Sequence, residues 1–209
     1  MIASLQVTLA TVCALALVPR SAAAQATAEP PAASANKPQV VKVGDPAPIF
    51  SGRTDEDKPW KSADHVGKQI VVVYFYPADM TGGCTAQACA YRDKLTELKR
   101  DDVVVVGVSG DTVESHRMFK ALHKLNFTLL ADPEGTIARA FGVKLGPGGA
   151  ISREFEGQGV ELARGVTAAR WTFVIGLDKR IDYKDMQVDA AKDPDKVFRA
   201  IERIANATK

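Results

Sequence analysis

The feature that most restricts this chain is a series of short apolar segments rich in β-branched residues, separated by stretches with helical spacing. Residues 69–76, 102–109, 127–131 and 171–175 read as strands, and 181–188 as a further one. Two of them carry Val71-Val72-Val73 and Val103-Val104-Val105-Val106 without a polar break. Successive side chains of a strand point to opposite faces, so such runs need cover on both. Residues 85–99, 113–125, 136–141 and 194–205 have the composition to supply that cover as helices. The pattern predicts an α/β domain, a central β-sheet with helices on both faces. Asp111 stands where a helix N-cap is wanted, just before Thr112 and Val113, and Gly142 follows Phe141 where a helix should stop. Residues 144–169 are Gly-rich, charged and weakly periodic, and read as a long surface excursion. No internal repeat is evident.

Charge narrows the function classes. Lys and Arg total 27 against 25 Asp and Glu, interleaved along the chain rather than gathered into a basic stripe, which argues against nucleic acid as a partner. The N-terminus reads as a targeting segment. Residues 5–18 form an almost uncharged apolar run, followed by Ser21-Ala22-Ala23-Ala24 as a small-residue cleavage site. That run is shorter than the roughly 20 residues a spanning helix needs. Residues 1–24 are therefore expected to be an export signal cleaved after Ala24, with an uncleaved anchor as the alternative, because the first eight residues carry no Lys or Arg. Cys13 lies inside the apolar run behind Val12, which argues against a lipoprotein site. Residues 25–39, rich in Ala and Pro, read as a tether, and 40–209 as the folded domain. Cleavage would leave Cys84 and Cys89 as the cysteines of an exported, periplasmic or otherwise extracytoplasmic protein.

Around Cys84 the residue order itself suggests chemistry. Tyr74-Phe75-Tyr76-Pro77 ends an apolar strand, Thr81-Gly82-Gly83 makes a turn, and Cys84 opens a helix that carries Gln87, Cys89 and Arg92. Unpaired N–H groups and the positive end of the helix dipole favour thiolate over thiol, and the thiolate is the nucleophile. A peroxide substrate would also need donors to polarise the O–O bond. The Thr81 hydroxyl, backbone N–H groups near Cys84 and a distant Arg could supply them. The spacing of the cysteines adds a constraint: five helical residues rise roughly 7.5 Å and turn about 140°. Their Cα atoms would then lie roughly 8 to 9 Å apart, past the approximately 7 Å limit for a disulfide. A Cys84–Cys89 bond therefore requires the first turns of the helix to unwind, which suits a redox cycle better than a static staple.

The segment Tyr74-Phe75-Tyr76-Pro77-Ala78-Asp79-Met80-Thr81-Gly82-Gly83-Cys84-Thr85-Ala86-Gln87-Ala88-Cys89-Ala90-Tyr91-Arg92-Asp93 resembles the active-site segment of peroxiredoxins of the Q or bacterioferritin-comigratory-protein type, with the pattern P-x-x-x-T-x-x-C. The similarity continues through residues 104–111, 125–130 and 141–143 and resumes at Arg170-Trp171-Thr172-Phe173-Val174-Ile175. The resemblance implies a thioredoxin-like fold, no metal or organic cofactor, a monomer, and reduction of hydrogen peroxide or organic hydroperoxides. It implies Cys84 as the peroxidatic cysteine and Cys89 as the resolving one, closing a disulfide that thioredoxin or a thioredoxin-like reductant reopens. It further implies that Thr81 bonds the thiolate and peroxide, that Pro77 shields the site from water, and that Arg170 holds the thiolate and the attacked oxygen.

Two departures stand out. Gly82 occupies a place where the family usually has Pro, and the stretch before Arg170 is longer than expected, which makes Arg164 a rival for the arginine role. Gln87 fits the pattern but reads equally well as an exposed helix residue. Among other functions, a thiol-disulfide oxidoreductase on the same fold would show C-x-x-C instead of the C-x-x-x-x-C present. A copper-handling protein would need two thiolates and an imidazole, for which His65, His116 and His123 are the candidates, each read as a surface or helix-face residue.

Overall fold

The computed structural model describes residues 40–155 and 157–207. The expected export signal and tether, and Cys13 with them, lie outside the described residues. The valine runs form the middle of the fold. Strands β3 (Ile70–Phe75), β4 (Val103–Ser109) and β5 (Thr128–Ala131) lie parallel, with Ile70 opposite Val103 and Val106 opposite Thr128. Strand β8 (Trp171–Ile175) joins the other side of β3 antiparallel, with Trp171 opposite Phe75. Short strands β1 (Ser51–Thr54), β2 (Pro59–Lys61) and β9 (Ile181–Asp185) complete a seven-stranded mixed sheet in the order β2-β1-β5-β4-β3-β8-β9. Alternation along β3 divides the core: Val71, Val73 and Phe75 enter one apolar cluster, and Ile70, Val72 and Tyr74 the other.

Helices cover both sides, as the apolar runs require. The first cluster is closed by α3 (Thr136–Ala140) through Ile137 and Ala138. The second takes Ala88 and Tyr91 from α1 (Gly82–Leu98), Phe119 from α2 (Val113–His123), and Val197, Phe198 and Ile201 from α4 (Asp193–Ala207). Truncating a fully buried aromatic such as Tyr91 or Phe173 would cost roughly 3–5 kcal/mol.

Two readings of the sequence are corrected. Thr112, not Asp111, caps α2, its hydroxyl accepting from the Ser115 N–H at 3.2 Å. The segment 144–169 is not an irregular excursion but a hairpin of β6 (Leu145–Phe155) and β7 (Gln158–Ala168), in register from Leu145 opposite Ala168 to Phe155 opposite Gln158. Much of it faces water on both sides, which removes the apolar alternation that would mark it as strand. Its base docks on the loop after β4 by main-chain bonds, Gly165 N–H to the Gly110 carbonyl at 2.9 Å and Thr112 N–H to the Ala163 carbonyl at 3.3 Å. Gly110 is required there, because a Cβ would lie 2.1 Å from the Val166 carbonyl oxygen.

Asp111 has another task, as part of a polar cluster beneath the β3–α1 loop. One of its oxygens accepts from the Asp79 N–H at 3.0 Å and from the Ser109 hydroxyl at 2.5 Å. The Asp79 carboxylate in turn takes the Tyr76 hydroxyl at 2.8 Å and His116 Nδ1 at 2.7 Å. His116, read from the sequence as a surface or helix-face residue, is wholly buried on the inner face of α2. Burial raises the Asp111 carboxyl to about 6, and the neighbouring Asp79 charge adds to the rise. Burial pushes the His116 ring down, but Asp79 outweighs it and leaves the ring above its ordinary value.

Both shifts have the same sign for stability. A carboxyl raised from 3.8 to about 6 binds its proton more tightly in the folded state, so its contribution is lost as pH rises from about 4 to 6. The raised His116 contribution is likewise lost as pH rises through its folded value. Asp111→Asn keeps an acceptor oxygen without the charge. Urea denaturation should find it gaining on the wild type by on the order of 2 kcal/mol between pH 4 and 7. A pH-independent difference would contradict this account.

The first helical residue of α1 offers a second test. Gly82 follows an extended Thr81 (ψ 147°), and a Cβ there meets nothing within 4 Å. Proline suits a first helical position and an extended predecessor. Gly82→Pro should raise stability by roughly 0.5–1 kcal/mol, read as a higher Tm.

Candidate active site

The β3–α1 connection is bent hard before it enters the helix. After Tyr76 the chain passes Pro77, which is half-buried, and turns at Met80, a non-glycine residue with φ of 57°. Thr81 is the N-cap, yet its side chain makes no cap bond; the hydroxyl donates back to the Ala78 carbonyl at 2.9 Å. The N–H groups of Gly82, Gly83 and Cys84 have no intrahelical acceptor, as in any first helical turn. The loop thus supplies three features at one point of the fold, the start of α1: free N–H groups, the positive end of the helix, and a hydroxyl oxygen with unused lone pairs.

Cys84 sits at that point, 1% exposed among Tyr74, Tyr76, Ala88 and Tyr91. Arg170 reaches it from the residue before β8, one guanidinium nitrogen (NH2) lying 3.2 Å from the Cys84 Sγ. The approach depends on Gly83, where a Cβ would lie 3.3 Å from that same nitrogen. The other terminal nitrogen of Arg170 donates to Gln87 Oε1 at 2.5 Å. Gln87 is fully buried, so the alternative of an exposed helix residue is set aside. Arg164, the rival arginine, sits in β7 and donates through Nε to the Thr167 hydroxyl at 2.9 Å.

Behind Gln87 lies a carboxylate that sequence reasoning did not single out. Oδ2 of Asp193, the first residue of α4, accepts from Gln87 Nε2 at 2.7 Å, from the Tyr91 hydroxyl at 2.7 Å and from the Thr172 hydroxyl at 2.8 Å. Burial raises its carboxyl above the usual range, against the three donors that favour the ionised form. Asp followed by Pro194 is a helix-start signature, and Tyr91 lies one turn beyond Gln87, but nothing in the chain announces that these positions meet.

Cys89 lies further along α1, half-buried, and both cysteines are free thiols. The structure thus brings Cys84, Arg170 and Gln87 into direct contact and places Thr81 and Pro77 in the loop that delivers Cys84, while Cys89 stays apart. A buried sulfur held by a guanidinium at a helix start is equipped for nucleophilic attack on a small electrophile. Cation-binding geometry is not favoured at a sulfur already facing a fixed positive charge. Among the described residues, no three His, Cys, Asp or Glu side chains are grouped to hold a metal ion.

Comparison with known proteins agrees with this geometry. Residues 43–184 match the AhpC/TSA family. The chain is 44% identical over 103 residues to peroxiredoxin Bcp of Bacillus subtilis, a match covering 49% of this chain and 65% of that protein. It is 45% identical over 103 residues to the chloroplastic peroxiredoxin Q of Sedum lineare, covering 49% of this chain and 55% of that one. The matched stretch is thus about half to two thirds of these relatives' length. Among solved structures, peroxidoxin BcpB of Mycobacterium tuberculosis superimposes with a TM-score of 0.64 at 29% identity, covering 78% of this chain and 98% of that one. The bacterioferritin comigratory protein of Xanthomonas campestris gives 0.61 at 26% identity, covering 75% and 92%. Fold, site geometry and the span of the family match lead to one conclusion: the chain belongs to the AhpC/TSA family, and its relatives and structural neighbours are peroxiredoxins of the Bcp and Q kind.

Proposed function

We propose that this chain is a peroxidase that reduces hydrogen peroxide and organic hydroperoxides through Cys84 and Cys89. The contact of Arg170 with the Cys84 sulfur, at 3.2 Å, is the observation that carries the reading. The Cys84 thiolate attacks the nearer peroxide oxygen. An S–O bond forms, the O–O bond breaks, and the departing oxygen leaves as water or an alcohol after taking a proton. Arg170 steadies the negative charge on sulfur and on the attacked oxygen, and the free N–H groups of the first helical turn add further donors. The Thr81 hydroxyl, its proton directed to Ala78, has lone pairs to accept the peroxide O–H. Pro77 limits the entry of water from the loop side.

The resulting Cys84 sulfenic acid condenses with the Cys89 thiol, forming the S–S bond and releasing water. Because an intact α1 holds the two residues apart, its first turns open for this step. A dithiol reductant of the thioredoxin kind then exchanges with the disulfide and restores both thiols. The alkyl peroxide reduction activity of the Xanthomonas campestris protein supports organic hydroperoxides as substrates. The reading includes a monomer that needs no metal or organic cofactor. Residues 1–24 direct its export to an extracytoplasmic space and 25–39 tether the working domain of residues 40–209.

Peroxide consumption by residues 25–209, coupled to a thioredoxin system, tests the reading. Wild type should turn over, Cys84→Ser should be inactive, and Cys89→Ser should consume about one equivalent and stop. Turnover by the Cys84→Ser protein would sink the assignment.

The arginine role is separable. Arg170→Met should lower the second-order rate constant with hydrogen peroxide roughly a hundredfold, as loss of a preorganised charged donor does. Arg164→Met should stay within about threefold of wild type. The reverse order would transfer the role to Arg164.

A further inference from the structure

Asp193 touches neither sulfur, and the reaction just proposed leaves it without a part. It is nevertheless heavily engaged for a carboxylate in the interior. One oxygen takes three donors and so ties its own helix α4 to two other elements, through Gln87 and Tyr91 on α1 and Thr172 on β8. Among the described residues, the other oxygen, Oδ1, is buried with no hydrogen-bond partner.

The polarity of the chain of bonds is informative. A carboxylate only accepts, so Gln87 must turn its NH2 group toward Asp193, which turns its carbonyl oxygen toward Arg170. Arginine only donates, so this orientation is the one that holds the guanidinium against Cys84. Reversal of the Gln87 amide would set NH2 against guanidinium and push Arg170 away.

Gln87 also lies between Cys84 and Cys89 on the turns that must open for the disulfide. Opening therefore breaks the Gln87–Asp193 bond and strains the Tyr91–Asp193 bond one turn on. We propose that Asp193 is a positioning residue and a latch: it orients Arg170 through Gln87 for attack on peroxide, and it holds α1 shut against condensation of the Cys84 sulfenic acid with the Cys89 thiol. The two roles oppose each other in the cycle, because the same bonds that speed the first step slow the second. The inference rests on the two-cysteine reading above.

The test uses Asp193→Ala, which removes the acceptor that orients Gln87, and Tyr91→Phe, which removes one donor and leaves the Gln87 link intact. After mixing with one equivalent of hydrogen peroxide, intrinsic tryptophan fluorescence in stopped flow follows the two steps, with disulfide confirmed by mass. Asp193→Ala should slow peroxide attack and accelerate disulfide formation, each about tenfold, as expected for loss of a hydrogen bond to a charged group. Tyr91→Phe should accelerate only disulfide formation. Amide hydrogen exchange of the reduced proteins should show residues 82–91 opening faster in both variants than in wild type. That measurement needs no peroxide chemistry, so it separates the latch from the reading beneath it. Unchanged exchange and unchanged step rates would overturn the latch, as would slowing of both steps in proportion to a loss of thermal stability. If wild type forms no Cys84–Cys89 disulfide while exchange still responds to Asp193→Ala, the two-cysteine reading fails and the redox role proposed for Asp193 fails with it.

Discussion

A sulfur atom withdrawn from water and placed against a guanidinium is the interaction to which the rest of this structure is subordinate. Cys84 is almost fully buried, and an anion there would be untenable without a fixed counter-charge. The counter-charge must come from another part of the chain, because the loop carrying Cys84 supplies no cation that touches the sulfur. Sheet topology answers this need. β3 delivers the loop at its C-terminal end, and β8, antiparallel beside it, begins at that same end with Arg170 just before the first paired residue. Parallel β4 and β5 on the other side and helices on both faces then fix β3 so firmly that the two ends stay in register.

Three buried carboxylates brace this arrangement from two directions. Asp79 and Asp111 tie the loop to the inner face of α2 and to the end of β4 through His116, Tyr76 and Ser109. Asp193 ties the body of α1 to β8 and α4. Each carboxylate is hydrogen-bonded by more than one donor, which is the condition under which a buried charge is tolerable, and the bonds to Asp193 join elements distant in sequence. The polar interior therefore specifies where the nucleophile stands more than it adds to stability.

The central strands were legible because β3, β4, β5 and β8 are apolar on both faces, a pattern that fits little besides a sheet covered from both sides. Helix α2 was legible from its spacing, but its cap was placed one residue early, since Asp111 and Thr112 are both good caps and only tertiary bonding decides between them. Cys84, Thr81, Pro77 and Arg170 were marked by family resemblance and by local chemistry, and the structure brings Arg170 onto Cys84. Asp193 was not legible, because its value lies largely in contacts with Gln87 and Tyr91, more than 100 residues away in the chain, about which local pattern is silent. The β6–β7 hairpin escaped for a different reason: Gly146-Pro147-Gly148-Gly149 and the charges that follow satisfy the usual description of a loop, while main-chain pairing holds it as strand.

That hairpin carries a consequence for how such chains can vary. Arg170 is located by the pairing of β8 with β3, with Trp171 opposite Phe75, and not by the length of chain leading to it. Residues can be inserted or deleted in pairs across β6 and β7 while the guanidinium stays where it is, since the hairpin only lengthens outward from the base that docks through Gly165 on Gly110. The arginine is thus addressed by ladder position, and counting residues from the cysteine would misplace it. A slip of a single residue in β8, by contrast, would turn Trp171 toward the sulfur and send the charge to the opposite face of the sheet.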